Sequence, residues 1–173
     1  MNTKMTFGGI GPKLALITLP YILLAIVVMQ RDPQFLKMNL PDPVWSKIIG
    51  HGWIAIGAVF YLATIVVFLS DFKQGLLVTR GTFSLCRNPL YASFILFFVP
   101  GLALVFESGM ILSMALVLYL NFKISIHGER LALRRNFGQA YEHYEKTVNE
   151  IIPIPRFWTR RTVDRNASLS SIH

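Results

Sequence analysis

The chain has 173 residues, of which 53% are hydrophobic and only 15% are charged, whereas roughly a quarter of a soluble domain is charged. This composition excludes an ordinary soluble domain, and the apolar residues fall in blocks long enough to cross a bilayer, which takes about 20 residues. The net charge of +8 lies mostly outside those blocks, where it indicates the positive-inside bias of a membrane protein and attraction to anionic headgroups. We therefore expect a membrane as partner and no nucleic acid.

The first apolar block runs from Leu14 to Met29 and predicts a retained spanning helix. Pro20 lies within it and is expected to kink the helix, which is tolerated where the segment packs against neighbours. The second block runs from about Ile48 to Leu69. Its glycines predict close contact with another helix; they are Gly50, Gly52 and Gly57.

A polar loop, residues 70–88, separates the second block from a third, which starts at Pro89 and continues to Phe106. The sequence "ESG" at 107–109 predicts a tight turn, and a fourth block follows from Met110 to about Ile126. A turn this short places the last two spans in an antiparallel hairpin. The expected fold is an all-α polytopic bundle of about four spanning helices.

Lysine and arginine are concentrated in the N-terminal tail, the 70–88 loop and the C-terminal region. Since basic residues mark the cytoplasmic side, we expect both termini and this loop there. A bacterial cytoplasmic membrane is the expected location, or the endoplasmic reticulum if the source is eukaryotic. The whole chain, residues 1–173, is interpreted as a single membrane domain.

The chain is expected to stay helical after the fourth block, as a C-terminal cytoplasmic helix. Apolar and aromatic residues recur there at three or four residues, which is typical of one helix face; they are Leu133, Phe137, Tyr141, Tyr144 and Val148. Gly138 predicts a local bend, because glycine weakens a helix. The run "IIPIP" at 151–155 ends the helix, and residues 156–173 form a polar tail.

Asn88 and Pro89 are typical of a helix start, because Asn is a good N-cap and Pro is favoured at the first helical position. Arg87 adds a cation just outside the span, and Tyr91 adds a hydroxyl one turn inside an apolar helix, where it requires a partner. Free amides and the dipole at a helix start also suit an anionic group. The stretch is therefore either a simple helix start or one wall of a site.

Glu129 lies on the same predicted face as the aromatic residues, close to the membrane surface, and Ser125 lies one turn before it. A buried acid at such a position is a functional candidate, and the alternative is an ion pair with Arg80 or Arg87. We expect no metal, since Cys86 is the single cysteine and His127 has no second ligand at metal spacing. Cys86 itself is interpreted as a small packing residue.

Two stretches together carry a family pattern: "LVTRGTFSLCRNPLYAS" and "GERLALRRNFGQAYEHYEKTVNEIIPIP". In order and spacing they resemble the isoprenylcysteine carboxyl methyltransferase and phospholipid methyltransferase superfamily of integral membrane enzymes. The resemblance covers about residues 75–155, which it identifies as a methyltransferase-like catalytic half.

The resemblance implies methyl transfer from S-adenosylmethionine to a lipophilic substrate at the cytoplasmic end of the last hairpin. By position, Glu129, Tyr91 and Arg87 are the candidate catalytic residues. The expected cofactor contacts are Gly75, Leu76, Leu77, Val78, Phe83, Asn88, Pro89, Leu90, Tyr91 and Glu129. The cofactor ammonium suits Glu129, and its carboxylate suits the helix start at Asn88–Pro89.

Three positions depart from the family pattern. Asn88 replaces a histidine, Gly128 replaces the first acid of a pair, and Ser125 replaces an arginine that orients the substrate carboxylate in the carboxyl methyltransferases. Ser125 is thus a candidate substrate-binding residue. The methyl acceptor stays open among an isoprenylcysteine carboxylate, a lipid amine and a thiol.

Two other functions remain open at this point. Steroid-type membrane reductases, which use NADPH, resemble the same C-terminal arrangement. A non-catalytic membrane protein that keeps the fold is favoured by the three departures. The expected partner is a lipophilic or lipid-linked small molecule, and the oligomeric state is left open.

Overall fold

The computed structural model describes residues 10–72 and 77–154. The predicted cofactor residues Gly75 and Leu76, and the predicted tail 156–173, lie outside these ranges. Five helices make up the described part of the chain: α1 Gly11–Arg31, α2 Pro43–Phe72, α3 Thr82–Leu85, α4 Pro89–Val105 and α5 Gly109–Thr147. The all-α bundle predicted from the sequence is confirmed.

Three of these helices, α1, α2 and α5, are long and apolar enough to cross a membrane. The third predicted span is α4, which is apolar but has only 17 residues. The fourth span and the C-terminal helix are one continuous helix, α5, whose apolar part is residues 110–126. Large apolar side chains on the bundle exterior are strongly exposed, such as Val59 at 70% and Ile124 at 76%. Such an exterior is suited to lipid rather than water.

The middle of α4 departs from α-helical geometry over residues Ser93–Phe98, which form a π-helix. Pro100 explains it, because proline has no N–H to donate to the carbonyl of Leu96 four residues earlier. The Trp53 indole of α2 donates to that carbonyl instead, over 2.7 Å. The indole therefore ties α2 to α4 at the point where α4 loses a backbone hydrogen bond.

Glycines bring α2 and α4 into close contact. A Cβ added at Gly50 would lie 2.8 Å from the carbonyl oxygen of Gly101, and one added at Gly57 would lie 2.6 Å from Cβ of Phe97. The prediction of close packing is confirmed for Gly50 and Gly57. It is wrong for Gly52, which is exposed and has no neighbour within 4 Å of an added Cβ in the described part of the chain.

Polar side chains join α1 to α5 within the apolar bundle. The Tyr21 hydroxyl lies 2.5 Å from the Ser113 hydroxyl, and the Asn121 amide donates to Thr18 Oγ1 over 3.1 Å. Such bonds are favourable between membrane helices, because the alternative is an unpaired polar group in hydrocarbon. They fix α1 against the helix that carries Glu129.

The predicted tight turn between the last two spans is confirmed. Here α4 ends at Val105 and α5 begins at Gly109. Ser108 caps α5 by accepting a hydrogen bond from the Ile111 N–H. The turn places the starts of α4 and α5 at opposite ends of the bundle, so Pro89 of α4 lies at the same end as the C-terminal half of α5.

Candidate functional site

A bidentate ion pair fixes the loop that follows α2. Arg80 Nε donates to both carboxylate oxygens of Asp71, over 3.0 and 2.9 Å, and its NH2 group donates to Ser70 over 2.7 Å. Asp71 is buried at the end of α2. Asp71 was missed from the sequence, although an acid at the end of an apolar block is itself a signal of a functional or paired residue.

The chain after α5 returns to the start of α4 and pairs with its backbone. Arg87 N–H donates to the Asn149 carbonyl over 2.8 Å, and Asn88 N–H donates to the Glu150 carbonyl over 3.1 Å. The Asn88 side-chain amide donates to the same Glu150 carbonyl over 3.1 Å. The helix begins at Pro89 as predicted, but the prediction that the Asn88 side chain caps it is wrong, because that side chain bonds the C-terminal segment.

An ion-pair network joins this segment to α5. Arg87 is 7% exposed and lies 2.8 Å from Glu145. Arg134 also contacts Glu145, over 2.5 Å, and Arg130 contacts both Glu145 and Glu150, over 3.3 and 2.5 Å. Two carboxylates thus form ion pairs with three arginines. The pair between Arg87 and Glu145 links the start of α4 to the end of α5.

The aromatic face predicted on α5 forms a cluster. Tyr141, Tyr144 and Val148 are buried, and Leu77 from the loop packs against them together with Leu133 and Phe137. Gly138 interrupts the helix with φ of 51° and ψ of −128°, so the predicted bend is confirmed.

The Tyr144 hydroxyl ties this cluster to α3. It donates to the Phe83 carbonyl over 2.6 Å, and the Phe83 ring stacks on Phe68 of α2 with centroids 6.3 Å apart. Two of the predicted cofactor residues, Leu77 and Phe83, therefore lie against the C-terminal half of α5.

Cys86 is fully buried beside this junction, as expected of a packing residue. Burial raises the pKa of its thiol to about 12, which a hydrogen bond from the Asn88 backbone only partly offsets. At neutral pH the group is therefore a neutral thiol, and it is not a nucleophile.

Glu129 faces the beginning of α1. The backbone of Ile10, the residue that precedes α1, lies near its carboxylate. Its Oε2 is buried and has no hydrogen-bond partner among the residues that the structure describes. The alternative of an ion pair with Arg80 or Arg87 is wrong, since those arginines bind Asp71 and Glu145.

Tyr91 completes the same small region. Its ring packs on Phe122 of α5 with centroids 5.2 Å apart, and its hydroxyl lies beside the backbone of Ile10 and Gly11 and in the electrostatic field of Glu129. Three elements therefore meet around Glu129 and Tyr91: the start of α1, the first turn of α4 and the middle of α5.

Ser125 lies one turn before Glu129 and is 5% exposed. Its hydroxyl has no hydrogen-bond partner within residues 10–72 and 77–154. A buried unpaired hydroxyl is costly, so it indicates either stored strain or a missing ligand. We call Tyr91, Ser125 and Glu129, with the backbone of Ile10 and Gly11, the acidic pocket.

The predicted site residues fall into two neighbouring groups. The acidic pocket contains Glu129, Tyr91 and Ser125. The second group lies around the start of α4, against the returning C-terminal segment and the aromatic cluster; its members are Leu77, Phe83, Arg87, Asn88 and Pro89. Val78, in the loop after α2, and Leu90, in the first turn of α4, are half-buried. Ile10, Gly11 and Glu145 were missed, because no local pattern connects them to the site.

The phospholipid methyltransferase family model matches residues 45–140, more than half of the chain. The match begins near the start of α2 and ends just after the bend in α5, so it includes Tyr91, Ser125 and Glu129 but neither α1 nor Glu145. No curated protein and no solved structure matches the chain.

Proposed function

Because this chain belongs to the phospholipid methyltransferase family, a family of integral membrane methyltransferases, we propose that it transfers the methyl group of S-adenosylmethionine to a lipophilic substrate. The observation that carries the proposal is that two buried polar atoms of the acidic pocket, Glu129 Oε2 and Ser125 Oγ, each lack a hydrogen-bond partner in the described ranges.

The donor set of the pocket fits the cofactor. S-adenosylmethionine carries an ammonium and a carboxylate at one end, and Glu129 Oε2 is suited to the ammonium. The amides of the first turn of α4, which includes Tyr91, suit the carboxylate. Leu77, Val78 and Phe83 supply an apolar wall for the adenine.

When bound, the cofactor would supply an electrophilic methyl group on a sulfonium. This chain's residues have the task of orientation: Glu129 holds the polar end, Tyr91 closes the pocket, and the apolar helices exclude water. Orientation in a dry site can account for a large part of a rate enhancement. In this proposal Arg87 is a positioning residue, because its side chain is committed to Glu145.

The charges around the pocket favour a lipid amine over a carboxylate as methyl acceptor. Arg87, just before α4, and Arg130, next to Glu129 in sequence, are in ion pairs with Glu145 and Glu150. A carboxylate substrate would have to be bound at the neutral hydroxyl of Ser125, because these arginines are paired and the proposed role of Glu129 is to bind the cofactor ammonium. An amine acceptor needs no such cation to bind it.

The pocket is proposed to open to the cytoplasm. The start of α4 and the C-terminal half of α5 share one end of the bundle, and they carry the arginines that mark the cytoplasmic side. A substrate would reach the pocket laterally from the bilayer, since the exposed faces of α1 and α5 are apolar.

The proposal is tested by incubating the purified protein in nanodiscs with methyl-labelled S-adenosylmethionine and three acceptor classes. These are a phospholipid with a primary amine headgroup, an isoprenylcysteine carboxylate and an alkyl thiol. We expect label to appear first in the amine. Label in the carboxylate or thiol would overturn the substrate preference, and label in none of the three would contradict methyl transfer to such lipids.

A further inference from the structure

The segment after α5, residues 148–151, lies outside the matched region, which ends at residue 140, and yet it contacts both α4 and α5. Resting on the proposed function, we propose that Glu150 is a positioning residue. It holds the turns of α5 that carry Ser125 and Glu129 against the start of α4. It acts through the placement of these two helices, and not by contact with the cofactor.

The backbone of this segment binds the start of α4. The N–H and the side-chain amide of Asn88 both donate to the Glu150 carbonyl, each over 3.1 Å. Arg87 N–H donates to the Asn149 carbonyl over 2.8 Å. Ile151 follows directly and is buried in the core cluster to which α4 contributes. These contacts hold the segment on α4 independently of the side chain at position 150.

The Glu150 side chain binds α5 at two points. Its Oε2 lies 2.5 Å from Lys123 Nζ, and its Oε1 lies 2.5 Å from Arg130 Nη2. The two cations are seven residues apart, about two helical turns, so they lie on one face of α5. Ser125 and Glu129 lie between them in sequence. With one oxygen on each cation, the carboxylate restricts both sliding and rotation of these turns relative to the segment.

The cost of losing the Glu150 charge is expected to be small in stability. The side chains of Lys123 and Arg130 are 44% and 30% exposed, and ion pairs this exposed add little to the free energy of unfolding. Arg130 also keeps its contact with Glu145 when Glu150 is changed. A variant at position 150 should therefore fold, and its effect should appear in the geometry of the acidic pocket.

Glu150→Gln tests the side chain alone, because it removes the charge and keeps the backbone carbonyl that Asn88 binds. Glu142→Gln is the matched control, since Glu142 is an exposed acid on α5. Affinity for S-adenosylmethionine is measured by calorimetry on the full chain in nanodiscs. Hydrogen exchange across residues 122–131 is measured on the same samples without cofactor.

We expect E150Q to bind S-adenosylmethionine about fivefold more weakly than E142Q, as for the loss of partly exposed ion pairs that fix the site. When Lys123→Met and Arg130→Met are both present, E150Q should change the affinity by less than about twofold, because its partners are gone. Equal affinities of E150Q and E142Q, or an undiminished effect of E150Q without the two cations, would overturn the inference.

Hydrogen exchange separates this inference from the proposed function, because it needs no cofactor. Residues 122–131 should exchange faster in E150Q than in E142Q, since α5 is held less firmly there. Unchanged exchange would overturn the inference. Faster exchange in E150Q, with no binding of S-adenosylmethionine by the unaltered protein, would support the contact and remove the proposed function instead.

A variant of the partner keeps the inference testable if E150Q does not fold. Lys123→Met removes one of the two cations that Glu150 binds, and Arg135→Met, at an exposed cation on the same helix, is its control. K123M should bind S-adenosylmethionine about threefold more weakly than R135M. Equal affinities of these two variants would contradict a positioning role for the Glu150 carboxylate.

Discussion

Glu129 is the central residue of the candidate site. It lies just beyond the apolar part of α5, near the backbone that precedes α1, and its Oε2 has no hydrogen-bond partner within the described chain. Local periodicity placed it on the inward face, and its half-buried side chain with a buried Oε2 agrees with that placement. Its neighbour could not be predicted, because Ile10 is more than a hundred residues earlier and reaches it only through the packing of α1 on α5.

Glu129→Gln should weaken binding of S-adenosylmethionine by about tenfold or more, because it removes a charge-assisted contact with the cofactor ammonium. Calorimetric titration of the purified protein measures the effect. Glu142→Gln is the matched control, since Glu142 is exposed on the same helix and lies outside the pocket. An unchanged affinity in E129Q would make Glu129 a structural residue.

Ser125→Ala should raise the midpoint of thermal unfolding or leave it unchanged, because it removes a buried hydroxyl without a partner in the described chain. If the hydroxyl contacts the methyl acceptor, the same change raises KM for the acceptor severalfold and leaves cofactor affinity near its original value. A marked loss of thermal stability would show that the hydroxyl has a structural partner.

The helices themselves follow from the sequence to a large extent. The apolar blocks of the sequence predicted α1, α2, the shorter α4 and the first half of α5, and Gly138 predicted the bend. The sequence could not predict which of these glycines faces another helix, because Gly50 and Gly52 lie two residues apart and so on opposite faces of α2. The Asn88 side chain was likewise assigned to a local cap, whereas a distant carbonyl binds it.

Gly50→Ala should lower the free energy of unfolding by about 1–3 kcal/mol, because the added methyl group meets the Gly101 backbone and Val105 and neither can move freely. Gly52→Ala, the matched control, should be neutral or stabilising by up to about 1 kcal/mol, since alanine favours a helix. Thermal unfolding in detergent separates the two. Equal effects of G50A and G52A would mean that α2 and α4 do not pack through Gly50.

Two segments outside the matched region contribute to the candidate site. α1 closes one side of the acidic pocket, and the segment after α5 binds the start of α4 through Asn149 and Glu150. Such contacts join distant parts of the chain. Sequence patterns therefore indicated candidate residues such as Glu129 and Tyr91, but not the segments that pack around them. The three departures from the family pattern, at Asn88, Ser125 and Gly128, leave the Glu129 carboxylate in place.

A methyltransferase of this kind must bind S-adenosylmethionine, and a titration measures that binding. Purified full-length protein in nanodiscs is titrated with S-adenosylmethionine and, separately, with NADPH, and the heat of binding is recorded. We expect saturable binding of S-adenosylmethionine at about one molecule per chain and none of NADPH. Saturable binding of NADPH alone would indicate a reductase, and binding of neither would indicate a non-catalytic protein; either result would rule out the proposed methyl transfer.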